Sequence, residues 1–158
     1  MGISTDVNIR RAVEADQSRI IELVTGILSK EFPADQEAYP TGDLKDFSRT
    51  YAGPESAFFV AEGDGKIVGT LGVKADGPEA AILRRLFVDP DKRKMGVGAK
   101  LLDQALEFCR KQNFVEVVIR TSSRMDSAIR LCSSAGFEED GRWRLGEVTL
   151  IRFHLRLR

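Results

Sequence analysis

Two hydrophobic periods take turns along this chain. From Val97 onward, polar residues fall at Lys100, Asp103, Gln104, Glu107, Arg110 and Lys111, with Leu101, Leu102, Ala105, Phe108 and Cys109 on the complementary face. That 3.6-residue repeat predicts an amphipathic helix. Ile20, Ile21, Val24, Ile27 and Leu28 keep the same period, opposite Arg19, Glu22, Thr25 and Ser29, in a helix that Asp16 helps start and Phe32-Pro33 ends. A further helix runs from about Asp126 to Ala135 and stops at Gly136, the usual left-handed C-terminal residue. Strands alternate with these helices. Asn8 to Val13 reads as a short first strand near an edge. Ala57–Glu62 and Lys66–Val73 flank Gly63-Asp64-Gly65, a hairpin signal, and a turn over Ala75 to Pro78 leads into Ala80–Val88. Val115, Val117 and Ile119 alternate with Glu116, Val118 and Arg120 in another strand, and Phe137–Leu145 and Glu147–Leu157 close the chain as a hairpin about Gly146. Between Ala34 and Pro54 the chain is polar, punctuated by Pro40, Gly42 and Gly53, with a short helical piece from Leu44 to Tyr51.

The junction Val88-Asp89-Pro90-Asp91-Lys92-Arg93-Lys94-Met95-Gly96-Val97-Gly98-Ala99 organises the rest. Pro90 ends the strand because it has no N–H for the ladder. The helix that follows offers amides without internal partners and the positive end of its dipole. Gly96 and Gly98 permit close backbone approach, and Arg93 and Lys94 add full charge. An anion site is expected here. Its spacing excludes the Walker pattern, which needs four residues between its glycines and then Lys-Ser/Thr. It also excludes a dinucleotide fingerprint, whose third glycine position is Leu101.

The run Arg93 to Ala99 resembles the acyl-CoA pyrophosphate loop of the GNAT superfamily of N-acetyltransferases, Arg/Gln-x-x-Gly-x-Gly/Ala, with Leu86-Phe87-Val88-Asp89-Pro90 where that family has its strand end. Ala128-Ile129-Arg130-Leu131-Cys132-Ser133-Ser134-Ala135-Gly136-Phe137 is similar to its second motif, Ala-x-x-Leu-Tyr-x-x-x-Gly-Phe. The order β-α-(α)-β-β-β-α-β-α-β-β agrees, so the resemblance covers nearly all of the chain. It implies an α/β (α+β) fold of GNAT type in one domain spanning residues 1–158: a central mixed, mostly antiparallel sheet of about seven strands flanked by about four helices. It further implies acetyl-CoA as co-substrate, with no metal, and direct attack by the primary amine of an acceptor in a ternary complex. Backbone groups of Leu86, Phe87 and Val88 would pair with the pantetheine arm like an added strand. The amides of Lys94, Met95, Gly96, Val97, Gly98 and Ala99 would cradle the pyrophosphate, with Arg93 and Lys94 as charge, and amides at the strand end would polarise the thioester carbonyl.

Cys132 stands where the resembled family has its leaving-group acid, a tyrosine. A thiol with a pKa near 8.5 can protonate a thiolate, and a helical cysteine of this pattern is also an ordinary small core residue. Tyr39, Tyr51 or a water are the alternatives. The family's usual base position falls near Ile82, which cannot act, and Glu79, Glu62 and Glu147 remain as carboxylates of the neighbouring strands and turns. His154 alternates with Phe153 and Leu155 and is expected to have no catalytic role. Arg84 and Arg85 interrupt an apolar strand. Alternation sends one to each face, and the buried one needs a carboxylate, from the core or from the acceptor.

Composition narrows the class. The chain has 158 residues, 42% hydrophobic and 30% charged, with 24 basic and 24 acidic side chains and a formal net charge of zero. That balance argues against a broad nucleic-acid or anionic-membrane footprint, and no apolar run approaches a span. Met1 to Arg10 has no signal-peptide core, and Cys109 and Cys132 fit reduced thiols, so a cytoplasmic protein is expected. Exposed closing strands allow pairing into a homodimer. A non-catalytic acyl-CoA sensor is the alternative to the enzyme.

Overall fold

The structure, a computed structural model, describes residues 7–158 apart from Lys94 and the side chain of Glu37. Seven strands form one sheet in the order β1-β2-β3-β4-β5-β7-β6: β1 (Asn8–Arg11), β2 (Ala57–Gly63), β3 (Lys66–Asp76), β4 (Ala80–Val88), β5 (Glu116–Ser122), β6 (Glu138–Leu145) and β7 (Val148–Arg156). All neighbours are antiparallel except β4 and β5. This is the expected mixed sheet. The main helices are α1 (Gln17–Glu31), α4 (Val97–Lys111) and α5 (Asp126–Ser134). The segment read as one short helical piece is two single turns, α2 (Gly42–Lys45) and α3 (Phe47–Thr50), after a 3-10 turn over Pro33–Ala38. Among the described residues, no helix is long and apolar enough to cross a membrane.

The sheet has apolar side chains on both faces, and each face has its own core. On one face Phe59, Leu71, Leu83, Val117 and Ile119 pack against Leu101, Ala105 and Phe108 of α4. On the other, Phe58, Val60 and Phe87 meet Ile20, Val24 and Ile27 of α1, with Leu44, Phe47 and Tyr51 from the two short turns. Close approach is built in at Gly69: a Cβ there would lie 2.9 Å from Leu101, so α4 sits almost on the β3 backbone.

Two irregularities of β4 shape the site. First, its pairing with β5 covers only Ala80–Leu83 against Glu116–Ile119. β4 remains bonded to β3 as far as Val88, and β5 to β7 as far as Ser122. The sheet therefore forks, and beyond Leu83 the β4 edge facing β5 has no strand partner among the described residues. Second, β4 carries a bulge: Thr70 pairs with Phe87 and Gly72 with Arg84, leaving an extra residue on β4. Arg85 takes the left-handed conformation there, φ +62°. The bulge inverts the alternation. Leu83 faces the α4 core before it, and Leu86 and Val88 do so after it, while Phe87 faces α1. This corrects the expectation for the two arginines. Arg84 lies opposite Gly72, whose missing Cβ would touch Tyr51, and Arg85 bonds to Asp43 on that same side. Directly opposed residues share a face, so both guanidiniums lie on the α1–α3 side rather than one on each.

Candidate active site

The fork opens into a groove of about 1080 Å³ between the end of β4, the start of α4 and the first turns of α5, with α1 along one side. Leu86, Phe87, Val88, Arg93, Gly96, Val97, Gly98 and Ala99, all named from the sequence for the cofactor, line it. Met95 is exposed and does not line it, and Lys94 lies outside the described residues. Gly96 has φ +81° and precedes α4, a conformation that costs a side-chain-bearing residue about 1 kcal/mol or more. The first bond of the helix runs from the Lys100 amide to Gly96 O, 3.0 Å. Val97, Gly98 and Ala99 thus present amides that cannot bond within the helix, at the positive end of its dipole. Gly98 is needed for room, since a Cβ there would lie 3.1 Å from Leu131 of α5. The arrangement suits an extended arm that adds to the β4 edge and ends in an anion.

Side-chain charge in the groove is arranged less simply. Arg93 donates through Nε to Val88 O, 3.1 Å, and both of its terminal nitrogens bond Glu31 at the end of α1, one of them at 2.8 Å. Glu31 lines the groove as well, so a carboxylate offsets the guanidinium at the expected anion site. Arg124 reaches in from the β5–α5 turn and is bonded to Asp35, a fully buried carboxylate that also accepts from Ser122 Oγ at 2.7 Å.

The model of the Acetyltransferase (GNAT) family matches residues 21–137, which take in the β4–α4 junction and all of α5. The chain belongs to that family. N-acetyltransferase 8 of Rattus norvegicus is 33% identical over 124 residues, 70% of this chain and 55% of the relative, and N-acetyltransferase 8 of Homo sapiens is 34% identical over 105 residues, 63% and 46%. The chain spans about half the length of the curated relatives it matches. A GNAT-family acetyltransferase from Staphylococcus aureus Mu50 superposes with a TM-score of 0.86 at 25% identity, over 97% of this chain and 100% of that one. The yncA protein of Salmonella typhimurium, solved with its cofactor acetyl-CoA, gives 0.78 at 20% identity over 96% and 94%, a likeness of fold.

Within this GNAT chain the candidate acids separate cleanly. Cys132 is fully buried in the α4-side core and lines no part of the groove. Burial pushes its thiol up to about 12. The structure therefore does not bring Cys132 to the fork. Tyr51 donates to Asp43 Oδ2 at 2.9 Å, and its hydroxyl is held well above the usual phenol range by burial and by that carboxylate. Tyr39 is different. Its hydroxyl is buried without a hydrogen-bond partner among the described residues, and burial pushes it up to about 12. The Ser122 amide and Thr121 hydroxyl nearby favour the phenolate, but neither reaches hydrogen-bonding geometry. The candidate bases are all elsewhere. Glu62 bonds Arg10, Glu79 lies in the turn beside the closed end of the fork, and Glu147 sits in the exposed β6–β7 turn. His154 lies near Glu116 and Asp140, groups that also pair with Arg152, away from the groove.

Beside the groove lies a cavity of about 30 Å³ inside the fork itself, bounded by Leu83 and Arg85 of β4, Ile119 to Thr121 of β5, and Tyr39. Leu86, Phe87, Met125 and Ala128 line both spaces, so the two adjoin. Arg85 is held from behind: Nε donates to Asp43 Oδ2 at 3.0 Å and Nη2 to Asp43 Oδ1 and Pro40 O. Burial alone would raise the Asp43 carboxyl, but the bonded Arg85 guanidinium outweighs this and holds it below the usual carboxylate range. Sequence reasoning found Arg85 and its need for a carboxylate. It missed Asp43 and Glu31, because nothing local to either residue indicates its distant partner.

Proposed function

We propose that this protein is an N-acetyltransferase that moves the acetyl group of acetyl-CoA onto a primary amine. The observation that carries the reading is the fork. An unpaired β4 edge running into the free amides of α4, with Gly96 and Gly98 clearing the approach, is a backbone-built receptor for an arm ending in a pyrophosphate. Family membership and the acetyl-CoA in the yncA structure support the same ligand. Acetyl-CoA supplies an activated thioester; the amine attacks its carbonyl carbon, the C–S bond breaks, and the nitrogen's proton passes to solvent.

The chain's own residues do the positioning. Leu86, Phe87 and Val88 hold the arm by their backbone, while amides of the fork favour charge on the acyl oxygen without having to reorganise. Val97, Gly98 and Ala99 hold the anion. Cys132 takes no part, and water entering the open groove serves the thiolate. The test is release of free CoA thiol on mixing the protein with acetyl-CoA and a panel of primary amines. Amine-dependent release is expected. Acetyl-CoA binding with no release across the panel would replace the enzyme by an acyl-CoA sensor.

A further inference from the structure

Two buried hydrogen-bond donors at the fork have no hydrogen-bond partner among the described residues, and they belong to residues that line the same cavity. Arg85 is 7% exposed; its Nε and Nη2 are committed to Asp43 and Pro40, and its Nη1 is buried with no partner. The Tyr39 hydroxyl is likewise buried and unpartnered. Both residues bound the 30 Å³ space that adjoins the acetyl-CoA groove through Leu86, Phe87, Met125 and Ala128. Leaving a buried donor unsatisfied is costly, more so for a charged one. Arg85 also holds a left-handed backbone that favours glycine. The bulge, the Asp43 fork and the Pro40 carbonyl together aim one edge of a guanidinium into the cavity.

Charge fixes what fits. Among the described residues the cavity lining contains no carboxylate, and Arg85 supplies its charge, since the guanidinium of the exposed Arg120 lies over the Trp143 ring. Asp43 bonds the far edge of Arg85, and Asp35, the acid nearest Tyr39, is taken by Ser122 and Arg124. Arg84 stands on the same face with no ion-pair partner among the described residues. Among the described residues Arg84 and Arg85 thus share one carboxylate, Asp43, an excess of one positive charge. A ligand group with two adjacent acceptor oxygens and one negative charge answers both needs.

We propose that the cavity is a carboxylate subsite of the acceptor. The substrate is an amine that carries a carboxylate close to its nitrogen, as an α-amino acid does. Its carboxylate accepts from Arg85 Nη1 and Tyr39 Oη while its nitrogen faces the groove. The inference rests on the transferase reading, and its test separates the two. Binding of N-acetyl amino acids, the reaction's products, is measured by calorimetry on the CoA-loaded protein beside their carboxamides. Thiol release is followed in parallel with the matching free amines. The acid is expected to bind roughly tenfold to a hundredfold tighter than the amide. Tyr39→Phe breaks no hydrogen bond among the described residues and should cut that ratio roughly tenfold, read in KM rather than kcat; Arg85→Lys, checked for folding by circular dichroism, should abolish it. Equal binding of acid and amide would overturn the subsite, as would a Tyr39→Phe variant that lowers kcat on both acceptors alike with no change in KM. Preference for the acid without thiol release would keep the subsite and sink the transferase.

Discussion

The two sides of the fork are built from different materials. On the α4 side the working groups are main-chain amides and an unpaired strand edge, placed by Gly96, Gly98 and Pro90 within a dozen residues. On the α2–α3 side they are side chains: Arg85, Asp43 and Tyr51 come from three elements, and Arg85 and Asp43 are 42 residues apart. A backbone receptor needs no buried charge, so its parts serve binding and add little to stability. A buried ion pair binds the fold together at the cost of desolvation, and breaking it leaves a charge in the core. Substitutions on the first side should register in ligand affinity, and loss of the carboxylate that holds Arg85 on the second should register in stability.

The largest effect is expected at Asp43. Asp43→Ala strands the Arg85 guanidinium, and chemical denaturation should show a loss of about 3–5 kcal/mol. The pair also sets a pH dependence. The folded Asp43 carboxyl lies below its unfolded value, so its contribution is present above the ordinary carboxylate pKa of about 4 and disappears as the pH falls through the depressed value. Asp43→Ala should flatten that acid limb of the stability curve. Gly98→Trp comes next, with the opposite signature. Its side chain must displace Leu131 and enter the groove, and acetyl-CoA affinity by calorimetry should fall roughly a hundredfold or more while the circular dichroism of the fold persists. Cys132→Ala removes a fully buried atom from the α4 core and should cost about 1 kcal/mol of stability, with thiol release retained. A rate that collapses with the fold intact would return Cys132 to the reaction. Glu31→Gln is the smallest. Freed from its carboxylate partner, Arg93 meets the anion directly, and acetyl-CoA should bind about two- to fivefold tighter, a gain that shrinks as salt is added.

What the sequence carried follows the same division. The α4 side was legible because it is local: a proline stop, two glycines and a 3.6-residue period write a strand, a cradle and a helix into adjacent positions. The succession of strands and helices followed from the two periods, and the core face of α4 from its own, whereas the place of β7 between β5 and β6 was not legible. The bulge at Arg85 was not legible. No glycine marks it, and one extra residue inverted the side on which every later β4 residue falls. Nor was the place of Cys132 in the α4-side core: a cysteine in such a helix is more often core than acid, but the motif position kept the acid open until the helix is docked. Asp43 and Glu31 sit in a polar segment and at a helix end, where their only signal is the arginine each one meets far along the chain.

On the proposed reading, α4 and the β4 edge together hold acetyl-CoA. Titrating the wild-type protein with acetyl-CoA and with S-acetylpantetheine, which keeps the arm and lacks the pyrophosphate, tests it most directly. Saturable binding of acetyl-CoA is expected, tighter than the fragment by roughly a hundredfold, as two charge-assisted bonds from the Val97 to Ala99 amides would give. No binding of acetyl-CoA, or equal affinity for the two, would contradict it.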